Sequence, residues 1–237
     1  MNKVRFVVGG NPELGGKNIR LMALSENDSI IQLDYSSELI MPSAFAYDSV
    51  SSILYVTDEL NDGMGKLAVF KVLESELHLL QLVPTEGSNP CHVSLDLTRH
   101  LVYVSHYSGG GVKCYKILSD GLLDVDPLFV LEECKSFHCV LPLTDGFIAL
   151  SSVADELIHA TYHLKTLKFS SVTVKIPSPR QAKVYDQNEV LVVSEEESMI
   201  FIYDLETKKV IQEKLSSIEK NNQNKAATIW GQMSKGF

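Results

Sequence analysis

Two kinds of position in this chain collect groups that can move protons or hold an anion. His92, His138 and Arg180 sit at the openings of short apolar runs, while Glu59, the pair His106-Tyr107, and Glu195 follow others. Imidazoles and carboxylates take up and return protons, and a guanidinium donates a fixed fork of hydrogen bonds to an oxyanion or anionic group. Together they would suit acid–base chemistry in a concave ligand site, provided the fold gathers them. Each also has an ordinary use. A histidine at a strand end commonly satisfies a loop carbonyl, Glu195-Glu196-Glu197 can be a solvated turn, Arg180 fits a structural ion pair, and Tyr107 fits core packing. The grouping carries the argument, not any single residue.

What must position these groups is a repeated unit. Ile53-Leu54-Tyr55-Val56, Leu101-Val102-Tyr103-Val104, Phe147-Ile148-Ala149-Leu150 and Val190-Leu191-Val192-Val193 recur along the chain, with a period of about 45 residues. Each is followed by a second alternating run ending near an aromatic: Leu67–Phe70, Val112–Tyr115, Ile158–Tyr162 and Ile200–Tyr203. Before each lies another short strand, beginning near Ser43, Cys91, Phe137 and Arg180 and separated from it by turn residues. Antiparallel meanders at this period, with almost no amphipathic helix pattern, predict an all-β fold of the β-propeller type, and the chain length allows roughly five blades. Phe6-Val7-Val8 and Ile19–Met22 fit a further blade. Trp230 is the one tryptophan and Gly231 follows it, so the Trp-Asp signature of the commonest propellers is absent.

In an antiparallel hairpin the start of the first strand and the end of the second share one end of the sheet. With first strands lining a central channel, the residues named above are expected around one mouth of that channel. Ala226-Ala227-Thr228-Ile229-Trp230 reads as the first strand of a new blade and Ser234-Lys235-Gly236 as its turn. The expectation is therefore one propeller domain over residues 1–237, its last blade incomplete and the chain truncated at its C-terminal end relative to a closed ring.

Composition narrows the partners. Across 237 residues, 21 Lys+Arg against 30 Asp+Glu give a formal net charge of −9, unlike a nucleic-acid binder held by phosphate neutralisation. The apolar run after Met1 is far shorter than a signal-peptide core, and no window approaches a membrane span. No membrane partner and a cytoplasmic location are expected. Cys91, Cys114, Cys134 and Cys139 form no Cys-x-x-Cys pair and read as reduced, mostly buried thiols. Cys134, His138 and Cys139 lack a fourth ligand. Ser108-Gly109-Gly110-Gly111 lies between two strands and reads as a hairpin turn.

Pro42-Ser43-Ala44-Phe45 with Leu54–Glu59, Gly87–Val93 with Tyr103–Gly110, and Pro179-Arg180 with Val193-Ser194-Glu195 resemble the lactonase family of seven-bladed β-propellers. That family includes the propeller-type 6-phosphogluconolactonases and carboxymuconate lactonizing enzymes. The resemblance implies a channel-mouth site of a His, an Arg, a Glu and a second Arg from a later blade. Position by position, the first three correspond to His138, Arg180 and Glu195. The second Arg is expected beyond Phe237. His106 stands where the family commonly has Asn, Gln181 where His often follows Pro-Arg, and Val153 where a Gly precedes the family's Asp, here Asp155.

The activity implied is hydrolysis of a sugar lactone, typically 6-phospho-D-glucono-1,5-lactone of the pentose phosphate pathway, with an anionic lactone as partner. Such opening needs an activated water, a stabilised oxyanion and a protonated leaving oxygen. Glu195 or His138 would act as base and Arg180 would bind the oxyanion or an anionic group. Glu59, His92, His106 and Tyr107 would complete the substrate site, and the scheme calls for no metal or organic cofactor. Muconate-type lactonization and a non-catalytic scaffold on the same fold are the competing expectations.

Overall fold

The computed structural model describes residues 4–10, 18–131, 136–163 and 168–215. These residues form strands and no helix, arranged as five antiparallel meanders. The first sheet is β1 (Arg5–Gly9), β2 (Ile19–Leu24) and β3 (Ile30–Ser36). The second is β4 (Pro42–Asp48), β5 (Ile53–Asp58), β6 (Lys66–Val72) and β7 (Leu77–Pro84), and the third β8 (Pro90–Asp96), β9 (Leu101–His106), β10 (Val112–Lys116) and β11 (Phe129–Leu131). The fourth holds β12 (Cys139–Leu143), β13 (Gly146–Ser151), β14 (Glu156–Tyr162) and β15 (Phe169–Lys175). The fifth holds β16 (Pro179–Asp186), β17 (Glu189–Ser194), β18 (Met199–Asp204) and β19 (Lys209–Leu215).

This is the all-β propeller arrangement that the repeat predicts. Among the described residues the three-stranded sheet is the first; the strand expected at Ala226–Trp230 lies outside them. No helix of the described residues is long and apolar enough to cross a membrane.

The second strands of the three middle sheets, β5, β9 and β13, are each sandwiched between two neighbouring sheets, and their alternate side chains serve both. Ile53 and Tyr55 pack toward the third sheet, whereas Leu54 and Val56 pack toward the first. Likewise Leu101 and Tyr103 face the fourth sheet while Val102 and Val104 face the second. Strands β5, β9 and β13 are consequently buried at every position. Burial on both faces is why they read as continuous apolar runs rather than alternating ones, and it supplies most of the driving force for stacking sheet on sheet. Gly146 opens β13 where the Ala160 carbonyl comes so close that a Cβ could not fit.

Polar locks fix the angle between neighbouring sheets. The Tyr55 hydroxyl donates to the Gly121 carbonyl at 2.8 Å, and both ends of the Gln81 amide bond the backbone of Leu123 at 2.8 and 2.9 Å. Between the third and fourth sheets, Tyr103 and Tyr162 hydroxyls lie 2.6 Å apart within a cluster of Phe129, Phe147 and Phe169. Arg99 completes this seam: it bonds Asp96 at 2.7 Å, reaches the carbonyls of Leu143 and Thr144, and covers the Tyr162 ring. First strands β4, β8, β12 and β16 neighbour one another in turn. Ser43–Phe45, Cys91–Val93, Cys139 and Gln181–Lys183 line a channel cavity of about 400 Å³ between them.

Arg99→Ala removes the side-chain partner of the buried Asp96 carboxylate and the bridge to the fourth sheet. We expect a loss of about 2 kcal/mol in unfolding free energy, in line with hydrogen bonds to charged groups. Urea denaturation measures it; an unchanged midpoint would show the seam to be held by the aromatics alone.

Candidate active site

Pairing of first with second strands builds the site. Pro42 lies opposite Asp58, Pro90 opposite His106, Cys139 opposite Leu150, and Pro179 opposite Ser194. Just past these pairs the chain is still tied across the hairpin: Glu59 N–H donates to Met41, Tyr107 N–H to Asn89, His138 N–H to Leu150 and Glu195 N–H to Ser178, at 2.9 to 3.0 Å. The groups expected at one mouth therefore emerge at one end of their sheets.

Bulges interrupt three of the first strands here. The register shifts between Pro42 and Phe45, between Pro90 and His92, and between Pro179 and Gln181. Ser43-Ala44, Cys91 and Arg180 are the residues in those shifts. An extra residue bends the strand and redirects its side chain. Released from the alternation, Cys91 reaches the His138 ring and Arg180 reaches Glu195.

Glu59, Tyr107, His138, Ser152, Val153, Asp155, Ser178, Arg180, Glu195 and Glu196 line one cleft of about 530 Å³. Arg180 Nη1 donates to Glu195 Oε2 at 2.5 Å and approaches His138 Nε2 at 3.3 Å. A guanidinium has no acceptor, so Nε2 is the lone-pair nitrogen of a neutral His138 and Nδ1 carries its proton. Nδ1 points to Cys91 Sγ at 3.8 Å, and that thiol donates to the Phe137 carbonyl at 3.3 Å. Tyr107 packs its ring 4.7 Å from the imidazole.

Burial, assisted by the Arg180 charge, pushes the His138 pKa down to about 4, against a smaller opposing pull from Glu195. Burial raises the Glu59 carboxyl above its ordinary value, while a Ser43 hydrogen bond and the Arg180 charge partly offset it. The Cys91 thiol is pushed up to about 12, chiefly by burial and then by Glu59. The cleft thus holds a neutral imidazole, a carboxyl that burial makes a weaker acid than usual and a guanidinium–carboxylate pair. Among the described residues no group of three or more His, Cys, Asp or Glu is arranged to hold a metal ion.

Five of the seven predicted site residues meet in the cleft: Glu59, Tyr107, His138, Arg180 and Glu195. His92 and His106 do not. His92 lines the channel cavity instead, where its Nδ1 accepts from Val140 N–H at 3.4 Å and its Nε2 lies 3.8 Å from Cys139 Sγ. His106 is fully buried, with Nδ1 3.1 Å from the Gly111 carbonyl and Nε2 2.9 Å from the Thr85 hydroxyl. A Cβ on Gly87 would strike its ring. Its backbone carbonyl accepts from Phe137 N–H at 2.8 Å, so His106 buttresses the segment carrying His138. Ser152, Ser178 and Glu196 were not anticipated. The rule that found Glu59 would also find Ser152, which follows a second strand in the same way. Asp155, with φ of 53°, accepts from Ser178 N–H at 2.7 Å and steadies the approach to Arg180.

Three comparisons with known proteins agree with this architecture. The family model described as "Lactonase, 7-bladed beta-propeller" matches residues 5–136, just over half the chain. A Bacillus subtilis (strain 168) protein named 6-phosphogluconolactonase is 28% identical over 126 residues, 52% of this chain. The match spans only 36% of that relative's length. Among solved structures, a Pseudomonas aeruginosa periplasmic gluconolactonase superposes with a TM-score of 0.78 at 17% identity, covering 90% of this chain and 68% of its own. A Bacteroides uniformis protein described as a candidate 6-phosphogluconolactonase gives 0.77 at 20% identity, covering 91% and 68%. These likenesses extend the fold well beyond the residues matched by the family model. With the repeat, the radial sheets and the matched segment in agreement, the chain belongs to the lactonase family of seven-bladed β-propellers.

Proposed function

We propose that the cleft hydrolyses a sugar lactone, with 6-phospho-D-glucono-1,5-lactone as the leading substrate. The observation that carries this reading is the sharing of Arg180 between Glu195 and His138 within one open cleft. The name of the Bacillus subtilis relative supports the substrate class. Hydrolysis adds water to the acyl carbon, builds charge on the carbonyl oxygen and breaks the ring C–O bond. His138, neutral with its Nε2 lone pair on the cleft side, or the Glu195 carboxylate takes the proton from water. Arg180, the one cation among the described residues lining the cleft, turns from its resting partners to the oxyanion. In a chain of net charge −9 this local cation also offsets a repulsive overall field for an anionic substrate. Tyr107 offers a flat wall beside His138.

Arg180→Ala should lower kcat/KM for the lactone by roughly 10²- to 10³-fold, as for loss of an oxyanion donor. His138→Ala should cost on the order of 10²-fold if its imidazole is the base. Lactone consumption against the spontaneous rate measures both; no turnover by the unsubstituted protein would leave the scaffold reading in its place.

The pH profile adds a signed test. A base must be unprotonated, and His138 takes its proton only near pH 4. With His138 as base, kcat/KM should stay flat through about pH 6.5, the free imidazole value, and fall only toward pH 4. Stability follows the same sign: the unfolded chain binds the proton first, so stability falls as pH drops from about 6.5 toward 4. Parallel denaturation curves separate the two effects. An acid limb centred near 6.5 in still-folded protein would remove His138 as the base.

A further inference from the structure

The proposed hydrolysis needs a proton delivered to the leaving ring oxygen as well as a base that takes one from water. Neutral His138 and the Glu195 carboxylate both present acceptors toward Arg180, and arginine does not release a proton in this range. The ring oxygen leaving the acyl carbon departs as an alkoxide, a strong base that needs protonation as the bond breaks. We propose that Glu59 is the general acid that delivers this proton.

Placement favours Glu59 over the other groups in the cleft. It enters from the second sheet, whereas Arg180 and Glu195 both come from the fifth, so a lactone held by Arg180 presents another edge to Glu59. The Glu59 backbone N–H is tied to the Met41 carbonyl, which fixes where its side chain enters the cleft. Arg180 donates to Glu195 at 2.5 Å, and its charge offsets only part of the effect of burial on Glu59. Burial holds its carboxyl toward the neutral, proton-donating form. Asp155 is occupied with the Ser178 N–H, and the Cys91 thiol with the Phe137 carbonyl. Tyr107 is 40% exposed and carries a phenol, a weaker acid than a carboxyl.

The step balances. Water oxygen bonds to the acyl carbon and its proton goes to His138 or Glu195. The acyl carbon–ring oxygen bond then breaks, and the ring oxygen takes the Glu59 proton to become a hydroxyl. A proton returns from the base to Glu59 through solvent, leaving hydroxy acid and unchanged enzyme.

This assignment rests on the hydrolase reading, and leaving-group dependence separates the two. Glucono-1,5-lactone expels an alkoxide; dihydrocoumarin, an aryl lactone, expels a phenolate that leaves without help. For Glu59→Gln, which keeps shape but has no acid proton, we expect at least about a 10²-fold loss of kcat on glucono-1,5-lactone. On dihydrocoumarin the same preparation should stay within about threefold of the unsubstituted protein. Glu59→Asp should recover part of the sugar-lactone rate. Equal losses on both substrates would overturn the assignment in favour of a binding or structural role, and no loss on the sugar lactone would overturn it outright. If the unsubstituted protein opens neither lactone, the hydrolase reading falls and the assignment with it.

Discussion

A hairpin can deliver two side chains to one point only at the end where its first strand begins and its second strand stops. Four sheets of this molecule apply that constraint in the same direction, with Asp58, His106, Leu150 and Ser194 each paired with the first residue of a first strand. Every group in the cleft depends on it, because none is held there by a helix or a long loop. Bulges at Ser43-Ala44, Cys91 and Arg180 supply the second half of the geometry. Without the extra residue, these side chains would follow the strict alternation of faces along the strand. The apolar strands behind them keep the sheets at a fixed spacing, so the separation between Glu59 and Arg180 is set by core packing four strands deep.

Electrostatically, the cleft works by concentrating scarce positive charge. One guanidinium serves a carboxylate at 2.5 Å and an imidazole at 3.3 Å. For the imidazole the charge adds to burial and disfavours protonation; for the carboxylate it supplies a close counter-ion. Glu59, across the cleft, feels the same charge more weakly than its own burial. The cleft thus pairs an imidazole kept neutral, able to accept a proton, with a carboxyl that burial biases toward holding one, as acid–base chemistry at a single pH requires.

Much of this was legible in the residues alone. The second strands announced themselves because both faces are buried, which turns Ile53–Val56 or Phe147–Leu150 into unbroken apolar runs. Outer strands were not separable in sequence. In β15, four consecutive residues face solvent, and β11 is three residues long, so neither carries a strong pattern. The position of Glu59, Tyr107, His138, Arg180 and Glu195 followed from hairpin geometry, and the resemblance to lactonases picked out three of them. His92 and His106 misled for a single reason: one residue along a strand reverses the side chain. His106 is the last paired residue of β9 and points inward, while Tyr107 next to it faces the cleft. Beside His92, the bulge gives Cys91 the place that simple alternation would assign differently. A bulge depends on register across two strands, which one-dimensional spacing does not encode.

The central claim is that Arg180 is the contact around which a lactone is bound and opened. A crystal structure of the protein with 6-phosphogluconate, the expected product, tests it most directly. The account predicts the product carboxylate within hydrogen-bond distance of Arg180, flanked by His138 and Glu195, with its freed hydroxyl turned to the second sheet. Product seated beside His92 in the channel cavity, or bound with no contact to Arg180, would contradict it.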